Sequence, residues 1–170
     1  MFRSILVSVD SSVYSQHALD QAIDLAKAGN ARLTILTAIA RPPAWLTTPA
    51  TAQAIEPLAL DLERDATQTL QAAVDRVPKS IPVTTILSRK PIREALLERL
   101  ETGDYDLLVM GSRGRGALAS SVLGSVSHFA LNHNSVPVLI VHSPESSRRD
   151  AQERSGLKAV PDAVPAAVGG

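Results

Sequence analysis

Short apolar, β-branched runs alternate along this chain with segments whose apolar residues recur at helical spacing. Ile5-Leu6-Val7-Ser8-Val9 has the character of a strand buried on both faces. Between Tyr14 and Ala28, the residues Ala18, Leu19, Ala22, Ile23, Leu25 and Ala26 share one helical face, and Gly29-Asn30 is a stop signal. Leu33 to Ile39 reads as a second strand. Leu62, Ala66, Leu70, Ala73 and Val77 step along a second helix, and Val83 to Leu87 forms a third strand. Pro91 suits a first helical position. Ile92, Ala95, Leu96 and Leu100 continue that helix to Gly103. Asp106 to Met110 is a fourth strand closed by Gly111. A helix from about Ser125 to Asn134 and a strand from Val136 to Val141 complete the series.

Strands that alternate with helices make βαβ units with right-handed crossovers. Five strands and four helices predict an α/β fold, an open, doubly wound parallel sheet with helices on both faces. Ligands in such sheets bind at the carboxyl ends of the strands, near the topological switch point. Two stretches fall outside the pattern. Residues 41–57 hold four prolines and three threonines and read as a long loop that can run into helix at its end. Pro144 closes the domain, predicted as 1–144. The remainder, 145–170, has the composition of a disordered tail.

Composition narrows the chemistry. The 170 residues include 45% hydrophobic but only 3% aromatic residues, so the core has to be aliphatic. Seventeen Lys and Arg balance seventeen Asp and Glu, which argues against a protein held on nucleic acid by phosphate neutralisation. The absence of cysteine removes disulfides, thiolate catalysis and cysteine-ligated metals. No apolar run is long enough to span a bilayer, and the N-terminus shows no signal peptide, so the chain reads as cytoplasmic.

The chemically informative segment is Gly111-Ser112-Arg113-Gly114, then nine residues, then Gly124-Ser125-Val126-Ser127. Gly111 and Gly114, without side chains, would let a ligand lie against the main chain. Gly124-Ser125 opens a helix whose first N–H groups are unpaired and whose dipole is positive there, a ready site for phosphate. Ser125 and Ser127 add hydroxyls, and Arg113 and Arg115 add charge. A plain turn followed by a serine cap would show the same residues, so both readings stand. Asp10 ends the first strand. It can accept ribose hydroxyls, hold a phosphate-bound cation, or cap the next helix with Ser11 and Ser12.

Other motifs fall away. No Gly-x-x-x-x-Gly-Lys-Ser/Thr is present. Gly114-x-Gly116-x-x-Ala119 lacks the acidic partner of a dinucleotide fingerprint. The four histidines do not cluster at metal-ligand spacing. Asp61/Asp65 and Glu94/Glu98 sit at helical i, i+4 spacing and read as solvated faces. Arg89-Lys90 stands between the pocket mouth and an exposed turn.

Three segments together resemble the universal stress protein family in its ATP-binding branch. They are Ile5 to Ser12, the glycine motif from Gly111 to Ser125, and Val136-Pro137-Val138-Leu139-Ile140-Val141. The resemblance spans residues 2 to about 143. It implies a sheet of order 3-2-1-4-5 and a homodimer formed through the last strand. It also implies an adenine site near Ala38 at the end of the second strand, and counts Met110 among the nucleotide-binding residues. Asp10 and Ser11 would lie at the nucleotide, and Gly111, Arg113, Gly114, Gly124, Ser125, Val126 and Ser127 would hold ribose and phosphates. The implied ligand is ATP, or AMP or ADP, with Mg2+ or Mn2+ accompanying the phosphates. The implied role is regulation in stress or dormancy through a protein partner, with little or no hydrolysis. Two departures stand out: Ser11 where the family often has glycine, and Arg89-Lys90 where it often has small or polar residues. An ATP-splitting or adenylyl-transfer enzyme on the same fold is the alternative, and a dimeric interaction module is the third reading.

Overall fold

The computed structural model of this chain describes residues 1–42, 52–115, 123–133 and 136–143, with backbone alone at 52–54. Its elements run β1 (Ser4–Ser8), α1 (Val13–Gly29), β2 (Arg32–Ala38), α2 (Ala52–Asp75), β3 (Val83–Ser88), α3 (Ile92–Thr102), β4 (Leu107–Gly111), α4 (Ser125–Asn132) and β5 (Val138–Val141). All strand pairs are parallel, in the order β3-β2-β1-β4-β5. The strand order reverses between β1 and β4, so the switch-point crevice opens there.

The apolar runs divide between two layers because successive strand residues point to opposite faces. Ile5, Val7 and Val9 join Leu33, Ile35, Leu107 and Val109 against the buried face of α1, Ala18, Leu19, Ala22, Ile23 and Ala26, with Ala73 of α2. Leu6, Leu36, Leu108 and Met110 pack on the other side against Ala95, Leu96 and Ala130 of α3 and α4. Both faces of the central strands are therefore dry, which is why these strands read as continuous apolar runs and not as alternating ones.

Most boundaries shift by a residue or two from the sequence expectation, for local reasons. Val9 lies past β1, yet its N–H still donates to the Leu36 carbonyl at 2.9 Å. Pro137 has no N–H to give, so β5 starts at Val138, although the Pro137 carbonyl accepts from Leu108 N–H at 2.9 Å. Asn30, not Gly29, takes the left-handed C-cap position of α1, at φ 50°. At 41–57 the expected run into helix at the end of the loop is found. Helix α2 already begins at Ala52, so the last part of the expected loop is helix, with Pro57 inside it. Residues 43–51, the centre of the glycine loop at 116–122, and the 144–170 segment with its expected tail lie outside the described residues.

Two contacts fix the ends of the sheet. At the amino end, the Asp106 carboxylate accepts from the N–H groups of Arg3 and Ser4 at 2.9 and 2.7 Å, tying the entry of β1 to that of β4. At the carboxyl end, Gly111 lies directly under the first turn of α1. A Cβ there would come within 2.7–2.8 Å of backbone and Cβ atoms of Tyr14.

Gly111→Ala is expected to destabilise the fold by about 1–3 kcal/mol, because the obstructing atoms are mostly backbone and cannot rotate away. Denaturant unfolding checks this, and an unchanged midpoint would refute the packing role. Asp106 supplies a pH-dependent case. Partial burial pushes its carboxyl up, but the Arg3 and Ser4 N–H bonds, with the charge of Arg32, hold it below its ordinary value. The stabilisation is present above the unfolded carboxylate value of about 4 and is lost as pH falls through the lowered folded value. Asp106→Ala should therefore lower stability at pH 7, with the difference from wild type shrinking once acid protonates Asp106. Chemical unfolding at pH 7 and near pH 2.5 measures it.

Candidate functional site

The turn after β1 is built from its own polar side chains. One Asp10 carboxylate oxygen accepts from Ser12 N–H at 2.9 Å and from the Ser12 hydroxyl. Ser12 is the N-cap of α1, and its hydroxyl oxygen accepts from Ser15 N–H at 3.2 Å. The Ser15 hydroxyl donates back to the carbonyls of Asp10 and Ser12. Asp10 thus stands outside the helix and shapes the turn, while Ser12 does the capping.

The second Asp10 oxygen reaches across to the glycine loop and accepts from Arg115 N–H at 3.0 Å. Gly114 makes this approach possible, since a Cβ on it would lie 2.7 Å from that oxygen. The two glycines after β4 therefore serve contacts within the protein. Gly111 admits α1, and Gly114 admits Asp10. Both glycines also line the cleft described next, so these contacts stand beside the expectation that they clear space for a ligand.

Between the β1 and β4 ends lies a cleft of about 630 Å³, within the range of small-molecule sites. Ten of the expected residues line it: Asp10, Ala38, Met110, Gly111, Arg113, Gly114, Gly124, Ser125, Val126 and Ser127. Ser11 does not. It is exposed and faces a smaller cavity of about 310 Å³ between α1 and α2. The cleft also takes in Ile39, Ala40 and Arg41 beyond β2, and Pro91 and Ile92 at the start of α3. These were missed because no motif marks them. The one available signal was their place at the carboxyl ends of β2 and β3, beside the switch point.

The cleft has two chemically distinct ends. Val9, Ala38, Ile39, Ala40, Ile92 and Met110 make an aliphatic wall, without an aromatic residue among those described. The same cleft takes in the N-terminus of α4, capped by Gly124 with no side-chain hydrogen bond. The Gly124 N–H donates to the Ser112 carbonyl at 2.7 Å, which fixes the helix start against the strand end. The next three N–H groups are the orphans of a helix start and point along its axis. Ser127 is buried, and its hydroxyl donates to the Gly111 carbonyl at 2.9 Å, so it serves the fold first and is not a free donor. Ser125 is exposed at the cleft.

Arg113 adds a cationic residue to the cleft lining. Its guanidinium lies over the Tyr14 ring at 5.7 Å and donates to the Tyr14 hydroxyl at 3.2 Å. Its Nε is buried and has no partner among the described residues. Among the described residues no carboxylate pairs with it. Arg89 and Lys90 are elsewhere: Arg89 pairs with Glu63, and Lys90 donates to Glu98 at 2.9 Å. That hydrogen bond, with the charge of Lys90, holds the Glu98 carboxyl below its ordinary value. Both bases decorate an exposed turn and neither lines the cleft.

The model of the universal stress protein family matches residues 1–142. The chain belongs to the universal stress protein family. The Bacillus subtilis universal stress protein YxiE is 34% identical over 149 residues, covering 83% of this chain and 99% of that one. A universal stress protein solved in complex with cAMP is 28% identical, with a TM-score of 0.53, covering 83% of this chain and 97% of that one. A family member from Arabidopsis thaliana solved with AMP bound shares the fold, at 14% identity and a TM-score of 0.60, covering 85% and 94%. In this universal stress protein the described residues contain no group of three or more His, Asp or Glu able to hold a metal. No helix among them is long and apolar enough to cross a membrane.

Proposed function

We propose that this universal stress protein binds an adenine nucleotide in the cleft between β1 and β4 and acts as a nucleotide-dependent regulator, with ATP as the principal ligand. The observation that carries the reading is the polarity of the cleft. An aliphatic wall suits a base, and the α4 N-terminus with the unneutralised Arg113 suits phosphate. The relative solved with cAMP supports an adenine nucleotide as the class of ligand. Asp10 is already committed through both carboxylate oxygens to Ser12 and Arg115. Mg2+ or Mn2+ therefore enters as the counter-ion of the phosphate chain, and no set of protein ligands is assigned to it.

The regulatory reading, rather than an enzymatic one, rests on what lines the site. Among the described residues the cleft holds no histidine, glutamate or lysine, and its one carboxylate is the committed Asp10. A general base with hydrogen-bond reach to a water is not assigned. The reading also includes a homodimer through β5, whose partly exposed edge, Val138–Val141, pairs with β4 on one side only. It places the protein in the cytoplasm, acting in stress or dormancy through a protein partner, with 1–144 as the working domain.

The test is calorimetric titration of the protein, first freed of any co-purified nucleotide, with ATP, ADP, AMP and cAMP. Saturable binding of at least one is expected. Arg113→Ala should weaken the tightest of them about tenfold, the scale of one charge-assisted contact to phosphate. No binding of any of the four at millimolar concentration would end the proposal.

A further inference from the structure

The two arginines of the glycine loop are in opposite electrostatic states. Among the described residues Arg113 meets the neutral Tyr14, by its ring and hydroxyl, and no carboxylate. Arg115 pairs through its guanidinium with the Asp65 carboxylate, fifty residues away on α2. Both arginines line the cleft, whereas Asp65 lines only the smaller cavity on the far side of Asp10. Their positions differ as well. The Gly124 Cβ position lies 3.3 Å from the Arg113 Cα, so the Arg113 backbone runs against the start of α4. Arg115 sits further out on the exposed rim, its backbone held by Asp10.

We propose that Asp65 is a positioning residue that sets the preference of the cleft between a nucleoside monophosphate and a nucleoside polyphosphate, by competing with the outer phosphates for Arg115. The inference rests on the nucleotide reading above. A single phosphate at the α4 N-terminus is served by the orphan N–H groups and Arg113. A longer phosphate chain extends to the rim and meets a guanidinium that Asp65 already neutralises. Binding there exchanges one ion pair for another, so the net gain is small while Asp65 keeps its charge. The Asp65–Arg115 pair is half-exposed, and a bond of that kind is weak enough to be exchanged. Because Asp65 belongs to α2, the exchange also makes the hold of the glycine loop on α2 depend on phosphate number.

The test measures ATP and AMP affinities of full-length wild type, Asp65→Asn, Asp65→Glu, Arg115→Gln and Asp65→Asn combined with Arg115→Gln. Asp65→Asn should tighten ATP about fivefold, the scale of one exposed ion pair, and leave AMP within about twofold. Asp65→Glu, which keeps the charge, should keep the wild-type ratio. In the Arg115→Gln background the substitution at 65 should no longer alter that ratio, as a double-mutant cycle requires of a direct coupling. An unchanged ratio in Asp65→Asn overturns the inference and leaves the nucleotide reading standing. So does an equal change for both nucleotides, or a shift that persists without Arg115. Wild type that binds neither nucleotide overturns both.

Discussion

The carboxylate of Asp10 joins two loops that the chain builds more than a hundred residues apart. One oxygen organises the turn into α1, and the other accepts the Arg115 N–H from the glycine loop after β4. In a doubly wound sheet these two loops diverge by topology, since the crossover from β1 goes to one side and the crossover from β4 to the other. Something has to hold them at a fixed separation if the crevice between them is to have a shape. Here that is a charge-assisted bond to backbone, and it exists only because Gly114 carries no Cβ. The cleft walls follow from it. The aliphatic side is made by strand ends that the sheet already fixes. The side suited to an anion is made by the N-terminus of α4, whose start is fixed through Gly124 and Ser112 to the end of β4.

The same contact has a cost in chemistry. A carboxylate that accepts from Ser12 and Arg115 has little left for a metal or for proton transfer. The site is therefore rich in donors and poor in bases, with helix N–H groups, Arg113 and Arg115 facing one occupied aspartate. A site of that composition offers donors to an anion, and the way the fold closes its switch point leaves its one described carboxylate engaged within the protein.

The fold was legible because burial leaves a periodic trace. Both faces of β1, β2 and β4 are dry, so the runs at Ile5, Leu33 and Leu107 are continuous, and the buried stripe of α1 recurs at helical spacing. The start of α2 left no such trace. Residues 52–57 contain a proline, and the helix begins well before its first period-setting leucine. The candidate site was legible in its composition but not in its internal allocation. The Gly111, Gly114 and Gly124 spacing located the cleft, yet two of the three glycines make room for Tyr14 and Asp10. Ser127, named as a donor, gives its proton to Gly111. Ser11, named beside Asp10, faces the other cavity. Local pattern records which residue types gather at a place. It does not record which of them are already paired, because the partners come from distant segments.

Arg115 shows why that allocation matters. In the sequence it is indistinguishable from Arg113, two positions away on the same loop. In the structure one guanidinium rests on a neutral ring and the other on a carboxylate, so equal formal charges present different fields to an incoming anion. The field in the cleft is thus set partly by α2, which lines only the neighbouring cavity. A helix that packs on the sheet through Ala73 and projects Asp65 toward the rim can alter ligand preference without touching the ligand. The reverse holds by linkage, since whatever displaces Asp65 from Arg115 also loosens one tie between α2 and the glycine loop. The proposed regulation needs some such route from occupancy to surface, and this ion pair is one that the geometry supplies.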